Sequence, residues 1–117
     1  MTIYDQGDIV LVPFPFTDSS TLKKRPALVI SVRWFNSIKG DHILVGITAS
    51  FQPDNLDADM IHIRGRELTD TSLYDESVIK AGSIFTVNTK LIIHKIGRLN
   101  HSLTKKVLEK ISQITTR

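Results

Sequence analysis

Short apolar segments rich in β-branched residues recur from residue 8 to residue 99, and glycine, proline or polar turn residues bound each one. Segments of about four to eight such residues are typical of β-strands. The run at 27–32 is almost entirely apolar, which indicates a central strand that is buried on both faces. We predict strands at 8–12, 27–32, 43–48 and 60–63, shorter apolar pieces at 78–79 and 84–87, and an ambiguous segment at 91–99.

Proline and polar clusters mark the breaks between these segments. Pro13 and Pro15 have no amide donor, so we expect them to end the pairing of the first strand. Gly40 lies within a predicted turn. Polar composition predicts loops at 17–21, 36–41 and 51–58, and leaves the structure of 65–77 uncertain.

The end of the chain has a different periodicity. Apolar residues at 103, 107, 108, 111 and 114 fall on one face of a helix, which we predict at about 102–115. Asn100 or Ser102 is suited to be its N-cap. Short strands followed by one helix predict a mainly β (α+β) fold, a small curled sheet or half-open barrel with a C-terminal helix. We expect residues 1–117 to form a single domain, because no repeat or linker divides them.

Composition excludes several classes of function. The chain has no cysteine, which rules out a disulfide framework, a thiolate nucleophile and a cysteine-based zinc site, and is compatible with a reducing cytoplasm. Its first residues do not resemble a secretory signal, and no apolar run approaches the ~20 residues of a membrane span. The net charge of +3 and the pI of about 9.3 permit a polyanionic partner without requiring one.

Common catalytic and cofactor motifs are absent from the sequence. It contains no dinucleotide or phosphate-binding glycine loop, no zinc-protease helix motif and no hydrolase nucleophile elbow. His42, His62, His94 and His101 show no metal-ligand spacing, so we interpret them as sheet or cap residues and predict no metal and no cofactor. A two-histidine ribonuclease pair remains open at this point.

Two short stretches are candidates for chemistry. Arg25 lies in a basic run between a polar loop and a buried strand, where it is either a solvated turn residue or a guanidinium clamp for phosphate oxygens. Thr48 ends an apolar strand, where it is either an ordinary strand terminus or a hydroxyl that hydrogen-bonds a developing oxyanion.

The order and spacing of these stretches resemble those of a known family. Residues 7–18 read GDIVLVPFPFTD and residues 23–31 read KKRPALVIS, which resembles the N-terminal signature of the MazF/PemK toxin endoribonucleases. Residues 47–50 resemble the second motif of that family, and residues 84–86 and 95–99 resemble its C-terminal part. The resemblance spans nearly the whole chain.

This resemblance implies an SH3-like β-barrel that forms a homodimer in the cytoplasm. It implies a type II toxin that cleaves single-stranded mRNA at short sequences without metal, leaving 2′,3′-cyclic phosphate and 5′-hydroxyl ends. It also implies a cognate antitoxin partner, with DNA contact expected only through the antitoxin complex. The catalytic arginine and threonine of the family fall on Arg25 and Thr48.

The same resemblance suggests RNA contacts around these two residues. Phe16 is placed to stack on a base, and Lys23 and Lys24 to hold flanking phosphates. Thr17, Ser50 and Gln52 are further expected RNA-binding residues.

One departure concerns the segment 84–86, where many family members have an arginine and this chain has Phe85 between Ile84 and Thr86. We expect Phe85 to be either a core residue or a stacking surface. An alternative function is a non-catalytic RNA-binding or protein-binding module on the same fold, including one of the gyrase-inhibitor type. The gyrase-inhibitor family does not match at Arg25 or Thr48.

Overall fold

The computed structural model describes residues 2–14, 23–64, 68–69 and 76–117. Its strands are β1 (Asp8–Phe14), β2 (Lys23–Val29), β3 (Asp41–Thr48), β4 (Met60–Arg64), β5 (Leu68–Thr69), β6 (Glu76–Asn88) and β7 (His94–Leu99). Its α-helices are α1 (Arg33–Lys39) and α2 (His101–Thr115), and Thr89–Leu91 form a 3₁₀ turn. The described strands form one antiparallel sheet in the order β4-β6-β3-β2-β1-β7-β5. The predicted mainly β fold with a C-terminal helix is confirmed.

The sheet is strongly curled, as the composition of its main core shows. Ile63 lies on β4, at one end of the strand order, and Leu99 lies on β7, next to the other end, but the two residues pack in the same buried cluster. Leu103 and Val107 of α2 join this cluster. Asn100 is the N-cap of α2, because its side-chain oxygen accepts a hydrogen bond from the Leu103 amide at 2.8 Å. No described helix has the length and apolar character needed to cross a membrane.

A second buried cluster lies on the other face of the same strands. Ala27 and Val29 of β2 pack there, whereas Leu28 packs in the first cluster, and all three are fully buried. This confirms the prediction of a central strand that is buried on both faces. The strand lies earlier in the chain than predicted, because 23–26 pair with β1 whereas Ile30 and Ser31 lead into α1.

Pro13 does not end the pairing of β1, contrary to the prediction. It lies opposite Lys24 in a ladder that continues to Phe14. The Leu11 carbonyl accepts a hydrogen bond from the Ile93 amide, on the β7 side of β1. Because backbone groups two residues apart in a strand face the same side, the nitrogen of Pro13 also faces the β7 side. The β7 ladder has already ended at Leu11, so no hydrogen bond is lost. Pro15 lies outside the described residues.

Helix α1 was missed by the sequence prediction, which placed a turn at 36–41. Gly40 does turn the chain, with a left-handed φ of 67° at the helix C-cap. The helix before it depends on Asn36, whose buried amide donates to the carbonyls of Tyr4 and Ser31. These hydrogen bonds are largely tertiary, so hydrophobic periodicity carried no signal for the helix.

The apolar pieces at 78–79 and 84–87 belong to one long strand, β6, rather than two. Its register against β3 shifts between Val45 and Gly46, which bends the strand near Gly82. The Gly82 amide donates to Asp59 Oδ2 at 3.1 Å. The ambiguous segment at 91–99 resolves into the end of a 3₁₀ turn followed by β7.

Candidate functional site

The strands β2 and β3 separate at one end, and Pro26 is the physical cause. The two strands pair only from Ala27–Gly46 to Val29–Leu44. Directly after β2, the amide of Ile30 donates to the Ile43 carbonyl of β3. By alternation along the chain the nitrogen of Pro26 also faces β3, and it has no N–H to donate to Ile47. The ladder therefore stops one position before Pro26, and the unpaired stretch of β2 and β3 beyond it is called the gap here.

Arg25 and Thr48 lie on either side of this gap. Continuing the β2–β3 register past Ala27–Gly46 places Arg25 opposite Thr48. Both residues line an open cavity of ≈ 500 Å³. Its apolar lining residues are Leu11, Pro26, Ile47, Ala49 and Ile96. Its polar lining residues are Lys23, Lys24, Arg25, Thr48, Ser77 and His94.

The Arg25 side chain is half-buried and incompletely bonded. Its guanidinium Nε is buried and has no hydrogen-bond partner among the residues that the structure describes. An unsatisfied buried donor costs about 1–3 kcal/mol, so an acceptor atom entering the cavity would remove an existing penalty. This is the electrostatic arrangement that suits a phosphate oxygen.

The hydroxyl of Thr48 is held by a local turn at the end of β3. Its Oγ1 accepts from the Ser50 amide at 3.1 Å and lies 3.4 Å from the Ser50 carbonyl. The second distance exceeds the usual range of a hydroxyl hydrogen bond. The Thr48 proton is therefore weakly engaged and available to a nearby oxyanion.

The structure brings together four of the eight predicted site residues. Lys23, Lys24, Arg25 and Thr48 line the same cavity. Ser50 is exposed and contacts Thr48, whereas Gln52 is exposed in the turn that follows and accepts from the Asn55 amide through its backbone. Phe16 and Thr17 lie outside the described residues.

His94 and Ser77 also line the cavity, and the sequence analysis did not select them for it. Pairing with β1 places His94 opposite Leu11, which in turn is opposite Pro26. These contacts connect distant parts of the chain, and no local motif marks either residue. A histidine beside a predicted strand was the available signal, and it did not distinguish His94 from the other three histidines.

The charged groups among the described lining residues are all cationic. Lys23, Lys24 and Arg25 lie together at the start of β2, and no described carboxylate lines the cavity. Across the described ranges, no three histidine, aspartate or glutamate side chains gather as metal ligands. The cavity is suited to an anion.

Phe85 packs against the second core cluster, opposite Leu44 in the β3–β6 ladder. It is not among the described residues that line the cavity. Of the two interpretations of this residue, the structure favours the core role.

Comparison with known proteins assigns the chain to a family. The family of PemK-like, MazF-like toxins of type II toxin–antitoxin systems matches residues 5–115. A comparison with curated proteins finds no match.

Solved structures share the fold over nearly the whole chain. MazF (Form-I) from Deinococcus radiodurans superposes with a TM-score of 0.79 at 15% identity, covering 100% of both chains. A Mycobacterial endoribonuclease in complex with its cognate antitoxin gives 0.73 at 14% identity, covering 94% of this chain and 92% of that one. The Mycobacterium tuberculosis toxin MazF-mt6 gives 0.70 at 17% identity, covering 91% and 93%. At these identities the likeness establishes the fold.

Proposed function

The chain belongs to the PemK-like, MazF-like toxin family of type II toxin–antitoxin systems, and we propose that it is an endoribonuclease that cleaves single-stranded mRNA in the cytoplasm. The observation that carries this proposal is the pairing of Arg25 with Thr48 across the gap between β2 and β3, in a cavity whose charged lining residues are cationic. RNA supplies the anion that such a cavity attracts.

The proposed reaction is attack of an RNA 2′-hydroxyl on the adjacent phosphorus. The bond from O2′ to phosphorus forms as the 2′-hydroxyl loses its proton to solvent, and the bond from phosphorus to O5′ breaks as O5′ gains a proton from solvent, which leaves a 2′,3′-cyclic phosphate and a 5′-hydroxyl. Negative charge accumulates on the non-bridging oxygens in the transition state. Arg25 donates to one of these oxygens and Thr48 to the other, which stabilises the transition state more than the ground state.

The neighbouring residues support binding rather than the chemical step. Lys23 and Lys24 are exposed at the cavity rim, where they neutralise flanking phosphates. Ser50 and Gln52 are exposed beyond Thr48, where they contact the RNA on the β3 side. Phe16 and Thr17 complete the proposed RNA-binding set.

Two protein partners belong to this proposal. A solved relative is an endoribonuclease bound to its cognate antitoxin, so we propose an antitoxin for this chain as well. A disordered antitoxin segment that folds into the cavity would compete with RNA for Lys23, Lys24 and Arg25. We further propose that the active form is a homodimer.

The decisive experiment is cleavage of a long RNA in EDTA with mapping of the new ends. We expect cuts at a short recurrent sequence, with cyclic phosphate on one product and 5′-hydroxyl on the other. Arg25→Ala should reduce this cleavage by about 10²–10³-fold. Arg33→Ala should not reduce it, because the Arg33 guanidinium is exposed and pairs with Asp5. If the protein bound RNA in a salt-sensitive way but left it uncut, this proposal would be wrong and a non-catalytic RNA-binding function would take its place.

A further inference from the structure

His62 lies on the same face of the sheet as Thr48, two strands away. We propose that His62 is a positioning residue for RNA cleavage, because its ring holds Phe51 and thereby fixes the backbone that orients the Thr48 hydroxyl. This inference rests on the proposed endoribonuclease function. It accounts for how a hydroxyl at the end of a strand keeps the orientation that the reaction needs.

The register of three strands places His62 and Thr48 in one row. Thr48 of β3 is opposite Val78 of β6, and Val78 is opposite His62 of β4. Directly paired residues share a face of the sheet, and the neighbouring row, with Ile47 and Ile79, packs in the main core instead. His62 therefore lies on the face of Thr48, with the two backbones roughly 10 Å apart across β6.

The chain that leaves Thr48 crosses β6 to reach His62. Phe51 follows Thr48 by three residues, and the centroid of its ring lies 5.2 Å from that of the His62 ring, at an interplanar angle of 58°. Tilted aromatic rings with centroids about 4.5–7 Å apart attract each other. Both side chains are partly buried. The ring contact therefore ties the segment that follows β3 to β4.

Ser50 connects this ring contact to the Thr48 hydroxyl. The Ser50 amide donates to Thr48 Oγ1 at 3.1 Å, and the Ser50 carbonyl lies 3.4 Å from the same oxygen. That carbonyl belongs to the peptide bond that joins Ser50 to Phe51. A displacement of Phe51 therefore moves the backbone groups that surround the hydroxyl.

Glu76 favours one orientation of the His62 ring. Its Oε2 lies 3.6 Å from His62 Nε2, which is longer than a hydrogen bond but close enough for electrostatic attraction. His62 Nε2 is buried and makes no hydrogen bond with any residue that the structure describes. A proton on Nε2 is attracted by the carboxylate, whereas a lone pair there is repelled. The carboxylate therefore keeps this edge of the ring toward β6.

The size of the expected effect has an upper limit. A residue that acts only through the Thr48 hydroxyl cannot cost more than the loss of that hydroxyl, which we expect to be about tenfold to a hundredfold. We expect His62→Ala to slow cleavage by roughly tenfold, because misplacement of a reacting group by about 1 Å is costly. RNA binding should change less, since Lys23 and Lys24 still neutralise phosphates.

The test measures single-turnover cleavage of an RNA oligonucleotide that contains one mapped site. His62→Ala should be roughly tenfold slower than wild type, whereas His62→Phe, which retains a ring against Phe51, should stay within about threefold of it. Binding of a 2′-O-methyl version of the oligonucleotide should change by less than about threefold. His101→Ala, beside a different pocket at the start of α2, is the control and should behave as wild type.

Combination with Thr48→Val separates positioning from a general loss of structure. Adding His62→Ala to Thr48→Val should cause no further loss of rate, because the hydroxyl through which His62 acts is already absent. A further loss of about tenfold in that background would overturn the inference, as would full activity of folded His62→Ala.

Phe51→Ala removes the same contact from its other side. It should match the loss of His62→Ala, and the double variant should lose no more than either one. Thermal unfolding checks that each variant is folded. If His62→Ala fails to fold, Phe51→Ala alone and combined with Thr48→Val gives the same test, and additive losses there would overturn the inference.

A measurement without RNA distinguishes this inference from the proposed function. Three-bond couplings report the side-chain rotamer of Thr48, which should be single in wild type and averaged in His62→Ala. Cleavage by wild type together with unchanged Thr48 couplings in His62→Ala would overturn the inference and leave the endoribonuclease in place. Absence of cleavage by wild type on long, varied RNA would overturn the endoribonuclease proposal, and the catalytic part of the inference with it.

Discussion

Arg25 and Thr48 lie opposite each other in the register of β2 and β3, two positions beyond Ala27 and Gly46, where the hydrogen-bonded ladder has ended. The two residues thus follow directly on paired strands, at a point where β2 and β3 are no longer paired with each other. A rigid sheet with a local opening holds polar groups at a set distance and still admits a ligand. Pro26 produces this opening because it presents no donor to β3.

Pro26→Ala should extend the β2–β3 ladder by one hydrogen-bonded pair and narrow the cavity. The new amide would donate to Ile47, which brings Thr48 closer to Arg25. We expect stability to be unchanged or higher, and RNA cleavage to fall by roughly tenfold or more, because misplacement by about 1 Å is costly in catalysis. The readouts are the cleavage rate and protection of the new amide hydrogen at position 26 from exchange.

Pro13→Ala is the matched control for this change, because Pro13 faces an edge where the β7 ladder has ended. It should leave the cleavage rate unchanged, and its new amide hydrogen at position 13 should exchange without protection. Full activity of Pro26→Ala, with demonstrated protection of its new amide, would show that the opening is not needed.

Substitutions of the two facing residues should reduce cleavage by different amounts. Arg25→Ala removes a charged donor, and we expect a loss of about 10²–10³-fold. Arg25→Lys should recover little of this, because an ammonium group cannot present paired donors to two phosphate oxygens.

Thr48→Val keeps the side-chain shape and removes only the hydroxyl, so we expect a loss of about tenfold to a hundredfold. Thr86→Val, at an exposed position of β6, is its control. Thermal unfolding should show that all these variants remain folded. A Thr48→Val enzyme with the wild-type cleavage rate would remove Thr48 from the proposed mechanism.

The elements that could be predicted from the sequence are those whose signal is local. Helix α2 has an apolar stripe, which was predicted correctly, and its N-cap is Asn100, one of the two predicted candidates. The segment 27–32 indicated two-sided burial, which Ala27, Leu28 and Val29 confirm. Helix α1 was missed because Asn36 stabilises it through Tyr4, a residue far away in the chain.

The candidate site was predictable only in part, for a related reason. Arg25 and Thr48 lie in short motifs, so resemblance singles them out. Pro26 ends the β2–β3 ladder because its nitrogen faces β3 rather than β1. Which of these two strands it faces is determined by the register of β2 against both of them. His94 reaches the cavity only through pairing of β7 with β1. Register between distant strands cannot be obtained from local periodicity.

Asp8→Asn should destabilise the fold, because Asp8 anchors three groups from a buried position. One of its oxygens lies 2.6 Å from Arg98 Nη1 and 3.2 Å from Lys95 Nζ, and the other accepts from the Asp5 amide at 2.9 Å. The carboxylate is buried and its two cationic partners are half-exposed, so we expect a loss of about 1–3 kcal/mol in unfolding free energy.

The control for Asp8 is Asp5→Asn, which removes an ion pair between Asp5 and the exposed Arg33. Surface pairs of this kind contribute little, so urea unfolding should give nearly the wild-type midpoint. Equal destabilisation by the two substitutions would contradict the role assigned to the buried carboxylate.

His42 should make the stability of the fold depend on pH. Burial lowers the pKa of His42 from its ordinary value of 6.5. Its Nε2 accepts from the Tyr4 amide at 3.1 Å, so the neutral ring carries its proton on Nδ1, which lies 3.0 Å from the Thr89 hydroxyl. Protonation of His42 Nε2 would replace this acceptor with a second donor facing the Tyr4 N–H, and the hydrogen bond between them would be lost.

The sign of the effect follows from proton binding. Between the lowered pKa of folded His42 and 6.5, the unfolded chain binds more protons at this residue than the folded chain does. The stabilisation is therefore complete above pH 6.5 and is lost progressively as the pH falls toward the folded pKa. Urea unfolding at a series of pH values should show this decline. His42→Gln should flatten it, and His101→Gln, at an exposed position, should leave it unchanged. A decline that persists in a folded His42→Gln variant would assign the acid sensitivity to other groups.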